Sequence, residues 1–203
     1  MSRRFQKFMQ SAVVLALLAL SSATMAEPYL AVQKGLKCGT CHVSPSGGGM
    51  RTAYGNLYAQ TELAARTLKM GDLWTGEVGK YLSVGGNLRA SYQEIDVPGQ
   101  PSTSADGLDE FLAYVEIRPF PKYLSLYVDA RLRPDDPVIR EQYARVSLPG
   151  GRWSVRAGEF FLPYGLRLQD DEAFIRQVSG INFNTPDNGW EVGYEGGPWS
   201  AQA

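Results

Sequence analysis

From residue 81 to the C-terminus, apolar and polar residues alternate along short runs, and a period of two is typical of extended strands. A strand patterned in this way turns one face to an apolar environment and the other to a polar one. The sequence therefore predicts a mostly β fold, built on an antiparallel sheet of about seven strands. The runs cover residues 81–92, 111–118, 123–132, 138–148, 153–158, 190–194 and a last run from residue 199.

Two architectures accommodate these strands: a soluble sandwich and an outer-membrane-type β-barrel with lipid outside and a polar interior. The apolar faces end in aromatic residues that suit the two membrane interfaces, which favours the barrel. The connectors also alternate in length, with long ones over residues 93–110 and 161–189. In addition, the polar face carries charges of both signs, which a hydrated interior tolerates. These charged residues are Arg89, Glu116, Arg118, Asp129, Arg131, Arg145, Arg156 and Glu191.

The predicted barrel is incomplete. Small barrels need at least eight strands, and bacterial ones have even numbers. The chain stops at Ala203 without the terminal aromatic residue typical of outer-membrane barrels. We therefore expect residues 77–203 to be a porin-like antiparallel β-barrel that is truncated at its C-terminus.

The N-terminus has the pattern of a secretory signal peptide over residues 1–26. Arg3, Arg4 and Lys7 precede a short apolar run over residues 12–20, and small residues at positions 24–26 provide a cleavage site. Cleavage would leave 17 basic and 21 acidic residues, a net charge of −4, which gives no support for nucleic-acid binding. We expect an exported protein of the outer membrane, with the periplasm as the alternative location.

Residues 27–76 contain both cysteines and the single histidine of the chain, in the order Cys38-Gly39-Thr40-Cys41-His42. This C-x-x-C-H spacing is typical of c-type haem attachment: the two thiols form thioethers, and the adjacent imidazole is the proximal iron ligand. A structural zinc site usually needs four Cys or His ligands, and only three are present. A disulfide between Cys38 and Cys41 remains an alternative in an oxidising compartment. The prediction is one covalent haem c.

The sequence does not decide which residue is the distal ligand of the haem iron. A second histidine is absent, and Met50 and Met70 are the methionines that remain after signal cleavage. Either could be the distal ligand, and either could instead be a packing residue, which leaves the iron open or ligated by a group from outside the chain. Helical spacing over residues 56–70 predicts a helix, but a segment of about 50 residues is too short to cover a haem alone. We therefore expect residues 27–76 to plug the barrel from its periplasmic mouth.

The motif Cys38 to His42, followed directly by porin-like strands, resembles the fused monohaem cytochrome c–porin family of outer-membrane electron-transfer proteins. The lead-in Tyr29-Leu30-Ala31-Val32-Gln33-Lys34-Gly35 is similar in character to the approach seen there. Residues 156–166 separately resemble a strand-to-loop segment of phosphate-selective porins. The resemblance implies that single electrons pass through one haem, between an extracellular metal or other redox partner and the periplasm.

The leading functional prediction is thus a haem-binding electron carrier of the outer membrane, with outer-membrane lipid and a periplasmic cytochrome as further partners. It has no catalytic residues, since electron transfer needs neither bond cleavage nor group transfer. One alternative is a passive, anion-favouring porin with a disulfide or vestigial plug. Another is a soluble periplasmic monohaem protein.

Overall fold

The structure is a computed structural model that describes residues 29–63, 69–99, 101–163 and 185–203, so the predicted signal peptide lies outside the described residues. Seven strands form one antiparallel sheet in which every strand pairs with its neighbour in the sequence, as the alternation predicts. The strands are β1 (Leu82–Ile95), β2 (Thr103–Phe120), β3 (Leu124–Arg133), β4 (Val138–Ser147), β5 (Trp153–Phe160), β6 (Asp187–Gly196) and β7 (Trp199–Gln202).

The mostly β expectation is confirmed. β1 and β7 are the two edges of the sheet, and no pairing joins them within the described ranges.

One face of the sheet is apolar and exposed. Side chains on strands point alternately to the two faces, and aligned registers place outward residues of neighbouring strands in rows. One such row is apolar across six strands, and its members are Leu82, Ile117, Leu126, Ala144, Ala157 and Trp190. Trp190 at the end of this row is 72 % exposed. The row is interrupted by no charged residue.

The opposite face of the sheet, here called the inner face, is polar and buried. Ser83, Glu116, Asp129, Arg156 and Glu191 are all buried there. This is the reverse of a soluble sandwich, in which the apolar face is covered and the polar face meets water.

In the part of the chain that the structure describes, four short elements precede the sheet. They are α1 (Tyr29–Lys34), α2 (Cys38–Cys41), α3 (Ala53–Thr61) and a 3₁₀ turn (Met70–Asp72). The predicted helix over residues 56–70 begins earlier, at Ala53, because the Thr52 side chain accepts a hydrogen bond from the Gly55 backbone N–H at 3.1 Å and caps it. Residues 64–68 of that prediction lie outside the described residues. Within the described ranges, the helices are too short or too polar to cross a bilayer.

The predicted long connector over residues 93–110 is wrong. β1 continues to Ile95 and β2 begins at Thr103, so only residues 96–102 connect them. The apolar alternation stops near Tyr92, but strand pairing rests on backbone hydrogen bonds and continues without it. A bulge between Arg89 and Ala90 marks the change to this polar, exposed hairpin extension.

The remaining connectors fix the two ends of the sheet. Residues 121–123, 148–152 and 197–198 form short turns that lie at one end, because alternate connectors of an antiparallel meander share an end. We call this the tight-turn end. The chain enters β1 at Leu82 from the same end, so the N-terminal segment reaches the sheet there.

Candidate functional site

The C-x-x-C-H motif folds as a single helical turn, α2. Cys38 and Cys41 are three residues apart, which brings them to the same side of a helix. Both thiols are free and partly buried. His42 leaves the helix in an extended conformation, with φ −122° and ψ 146°, while its backbone N–H still donates to the Cys38 carbonyl at 2.9 Å. The turn therefore presents both thiols on one side, and the imidazole of His42 follows immediately after them.

Burial affects the chemistry of the two thiols. Loss of hydration raises the pKa of Cys38 above that of an ordinary cysteine. Burial also raises the pKa of Cys41, with a smaller contribution from Cys38, while the positive charge of Arg51 lowers it. Both groups are therefore protonated thiols at neutral pH.

The motif is held in place by α3 and by the chain that follows His42. The Thr52 hydroxyl donates to the Thr40 carbonyl at 2.7 Å, and the Thr52 backbone N–H donates to the Cys41 carbonyl at 3.0 Å. Gly55 approaches so closely that a Cβ there would overlap the Cys41 carbonyl oxygen. Only glycine permits this contact between α3 and the motif.

Residues 42–51 form a small closed loop. His42 and Arg51 make an antiparallel bridge, and the Val43 backbone N–H donates to the Met50 carbonyl at 3.0 Å. Gly47, Gly48 and Gly49 at its tip all have positive φ, between 62° and 83°. The left-handed conformation costs other residues about 1–2 kcal/mol each, so glycine is favoured at all three positions.

The loop and the motif lie on the inner face of the sheet. At the tight-turn end, the Lys37 ammonium donates to the Trp199 carbonyl at 2.9 Å. Further along the sheet, the Met50 backbone N–H donates to the Tyr127 hydroxyl at 3.0 Å in a buried contact. A Cβ on Gly49 would lie 2.7 Å from that same hydroxyl, so the loop tip touches β3 through backbone. Residues 37–52, here called the docked segment, thus run from the tight-turn end to the middle of the sheet.

Met50 anchors the docked segment through packing. Its side chain is 2 % exposed and belongs to a buried cluster with Leu112, Tyr114, Tyr127, Tyr143 and Phe160. Its Cγ lies 3.8 Å from the position that a Cβ on Gly85 would occupy. The role of Met50 as distal ligand stays a prediction, as does that of Met70, whose side chain lies outside the described residues.

Arg156 joins the docked segment to two strands. Its Nη1 donates to the Ser44 hydroxyl at 3.2 Å, and its Nη2 donates to the Ser46 hydroxyl at 3.1 Å. The same Nη2 lies 2.6 Å from a carboxylate oxygen of Glu191 on β6. The guanidinium carbon is 4.0 Å from the centroid of the Phe160 ring. The alternation of the strands predicts that Arg156 and Glu191 lie on the polar face, but no pattern in the sequence connects them to the loop.

A bulge in β4 adds two charges that the alternation does not predict. Asp129 pairs with Glu141 and Ala130 with Ile139, so Arg140 is an extra residue in the ladder. As a result Arg140 and Glu141, which are sequence neighbours, are both buried. An Arg140 nitrogen lies 3.8 Å from carboxylate oxygens of both Asp129 and Glu110. The only sequence signal for the bulge is the unbroken polar run Arg140-Glu141-Gln142 in a strand that otherwise alternates.

The predicted inner-face charges are confirmed with one exception. Arg118, Arg131 and Arg145 are partly buried, but Arg89 is exposed because it lies at the β1 bulge where the polar hairpin extension begins. Arg118 contacts Glu116 at 3.4 Å and Glu77 at 3.7 Å. The inner face therefore combines ion pairs with the buried cluster that packs around Met50.

The residues of the motif fit a covalently attached haem. Two protonated thiols on one side of α2 suit thioether formation, and His42 at its end suits iron ligation. Among the described residues, no group of three or more His, Cys, Asp or Glu side chains is arranged to hold a metal ion on its own. The attachment of a haem at these residues stays a prediction.

Comparison with protein-family models, with curated proteins and with solved structures found no match to this chain. The resemblance to cytochrome c–porin proteins thus stays a prediction, and the functional argument rests on the residues themselves.

Proposed function

We propose that this protein is a c-type haem electron carrier of the outer membrane, in which the docked segment plugs the interior of a porin-like barrel. The observation that carries the proposal is the position of the Cys38–Cys41 turn on the polar, buried face of a sheet whose other face is apolar and exposed. An attached haem would supply one-electron chemistry by cycling between ferric and ferrous iron. Cys38 and Cys41 hold it, and His42 ligates the iron.

The exposed face supports the membrane part of the proposal. An apolar row across six strands, with Val115, Val146 and Val155 exposed in the rows beside it, far exceeds the scattered apolar residues of a soluble surface. Lipid-facing strands alternate apolar outside and polar inside, as these strands do. Sheet edges in lipid would leave backbone N–H and C=O groups without partners, so the proposal requires strands in addition to these seven that pair with both edges and close the barrel.

The docked segment supports the plug part of the proposal. It occupies the inner face through backbone and side-chain hydrogen bonds to β3, β5 and β7. The motif lies at the tight-turn end, which is the periplasmic end in outer-membrane barrels. In that orientation the haem faces a periplasmic cytochrome, and the longer connectors face an extracellular donor or acceptor.

The test is a reduced-minus-oxidised absorption spectrum of outer-membrane fractions, combined with mass spectrometry of the peptide that contains Cys38 and Cys41. We expect a c-type haem spectrum and a haem mass on that peptide, both lost in the Cys38→Ser/Cys41→Ser double variant. Ser83→Ala, a change on the same inner face, is the control and keeps both signals.

Three outcomes contradict the proposal. Absence of haem mass on the peptide excludes the haem carrier. Ion conductance without any redox spectrum selects the passive porin with a disulfide or vestigial plug. Recovery of the haem protein in the soluble periplasmic fraction selects the soluble monohaem protein.

A further inference from the structure

Arg156 is one of the most deeply buried charged residues of the described chain, and it contacts both the sheet and the loop after His42. It is 2 % exposed, and its ion pair with Glu191 lies entirely within the sheet, between β5 and β6. It also donates hydrogen bonds to Ser44 and Ser46, more than 100 positions away in the sequence. Both serines belong to the loop that begins at His42.

The contacts from Arg156 join the loop to the sheet together with the hydrogen bond from the Met50 backbone N–H to the Tyr127 hydroxyl. A charged donor makes stronger hydrogen bonds than a neutral one, and the planar guanidinium presents its N–H groups in a fixed fork. Glu191 and the ring of Phe160 hold that fork in one orientation. The fork is thus aimed at the loop before the loop docks.

We propose that Arg156, oriented by Glu191, is the positioning residue that latches the loop after His42 onto the inner face and so sets the environment of the haem iron. This inference rests on the proposed function and adds to it the residue that keeps the plug closed. Breaking the latch releases the loop while the sheet stays intact. Because the loop starts at His42, its release also brings water to the iron, and exposure to water is one of the factors that set a haem potential.

The variant that isolates the latch is Ser44→Ala/Ser46→Ala, which leaves the Arg156–Glu191 pair in place. The matched control is Ser154→Ala, because Arg145 donates to the Ser154 hydroxyl at 3.4 Å on the same inner face but within the sheet. Both proteins are produced as the full chain in outer membranes and treated with trypsin. The release of the peptide ending at Arg51 is followed by mass spectrometry, and the midpoint potential is measured where haem is present.

Two hydrogen bonds to a charged group are lost in the latch variant, so we expect cleavage after Arg51 to accelerate roughly tenfold or more. The Ser154→Ala control stays within about twofold of the unchanged protein. The midpoint potential of the latch variant falls, since water favours the more highly charged ferric state, and that of the control does not. Arg156→Lys, which keeps the charge but not the fork, gives an intermediate cleavage rate.

The outcomes separate the latch from the haem proposal. Faster cleavage in the latch variant, with no haem absorbance in any sample, supports the latch and refutes the proposed function. Unchanged cleavage and unchanged potential in a haem-bearing latch variant refute the latch and leave the proposed function standing. Equal acceleration in the Ser154→Ala control also refutes the latch, because the effect would then be a general loosening of the sheet.

Discussion

Met50 offers the sharpest test of how the docked segment is held, because its two candidate roles predict different results. Its side chain is 2 % exposed and contacts the buried tyrosine cluster of β2, β3 and β4. Met50→Ala removes the whole side chain beyond Cβ, whereas Met50→Leu keeps most of the volume and removes only the sulfur. The backbone hydrogen bond to Tyr127 is unaffected by either change.

The expected magnitudes follow from burial. Replacing a buried methionine by alanine costs about 2–5 kcal/mol, since the apolar contacts are lost and a cavity remains. This cost falls on the docked state of the loop, and it corresponds to a roughly 30- to 4,000-fold increase in the undocked population, at about 1.4 kcal/mol for each factor of ten. A swap between methionine and leucine conserves volume and usually costs less than about 1.5 kcal/mol.

The assay is trypsin cleavage after Arg51 in the full chain, with Val32→Ala as control because Val32 is 73 % exposed. We expect a large acceleration in Met50→Ala, little in Met50→Leu and none in the control. Cleavage of Met50→Ala at the unchanged rate would refute the argument from packing. A lower haem potential in Met50→Leu, with normal cleavage, would instead identify the thioether as the distal ligand, since Met/His ligation raises the potential.

Two further changes test the membrane-facing surface and the packing of the motif. Val128→Arg, in the middle of β3 on the apolar face, should lower the free energy of unfolding in lipid by about 2–4 kcal/mol, and Leu124→Arg, on the same face next to the tight turn, by about 0–1 kcal/mol; equal, near-zero effects in denaturant titrations would indicate a face in water. Gly55→Ala should lower the unfolding free energy by at least about 1–3 kcal/mol and reduce haem attachment, because the added methyl overlaps the Cys41 carbonyl. Gly71→Ala, which places its methyl in open space, is the matched control, and equal haem yields from the two variants would contradict the close packing.

The strands were the most predictable part of the fold. All seven appear where the alternation places them. Successive side chains of a strand point to opposite faces, so a strand with one apolar face has a period of two in its sequence. The extension of β1 and β2 to Ile95 and Thr103 was not predictable from apolar periodicity, since most of its residues are polar and the few apolar ones do not alternate with them. Backbone pairing alone stabilises that part of the hairpin.

The motif was readable from the sequence for a chemical reason. Two thiols and an imidazole in the spacing C-x-x-C-H leave few alternatives, and the spacing itself implies a helical turn with both thiols on one side. What holds the turn could not be read in this way. In the sequence nothing distinguishes Gly55, Ser44 and Ser46 from other loop and helix residues. Only the fold brings Cys41 next to Gly55, and Arg156 next to the two serines.

The sequence by itself determined the local quantities: which residues form strands, which face of each strand is polar, and which residues make up the C-x-x-C-H motif. These depend on neighbours in the chain. Only the tertiary structure decided that Arg140 and Glu141 share one face, that Met50 is buried, and that Arg156 joins β6 to the loop after His42. Those relations depend on a bulge and on contacts between residues about 80 to 110 positions apart, and no local pattern specifies which distant residue a buried charge or methyl group will meet.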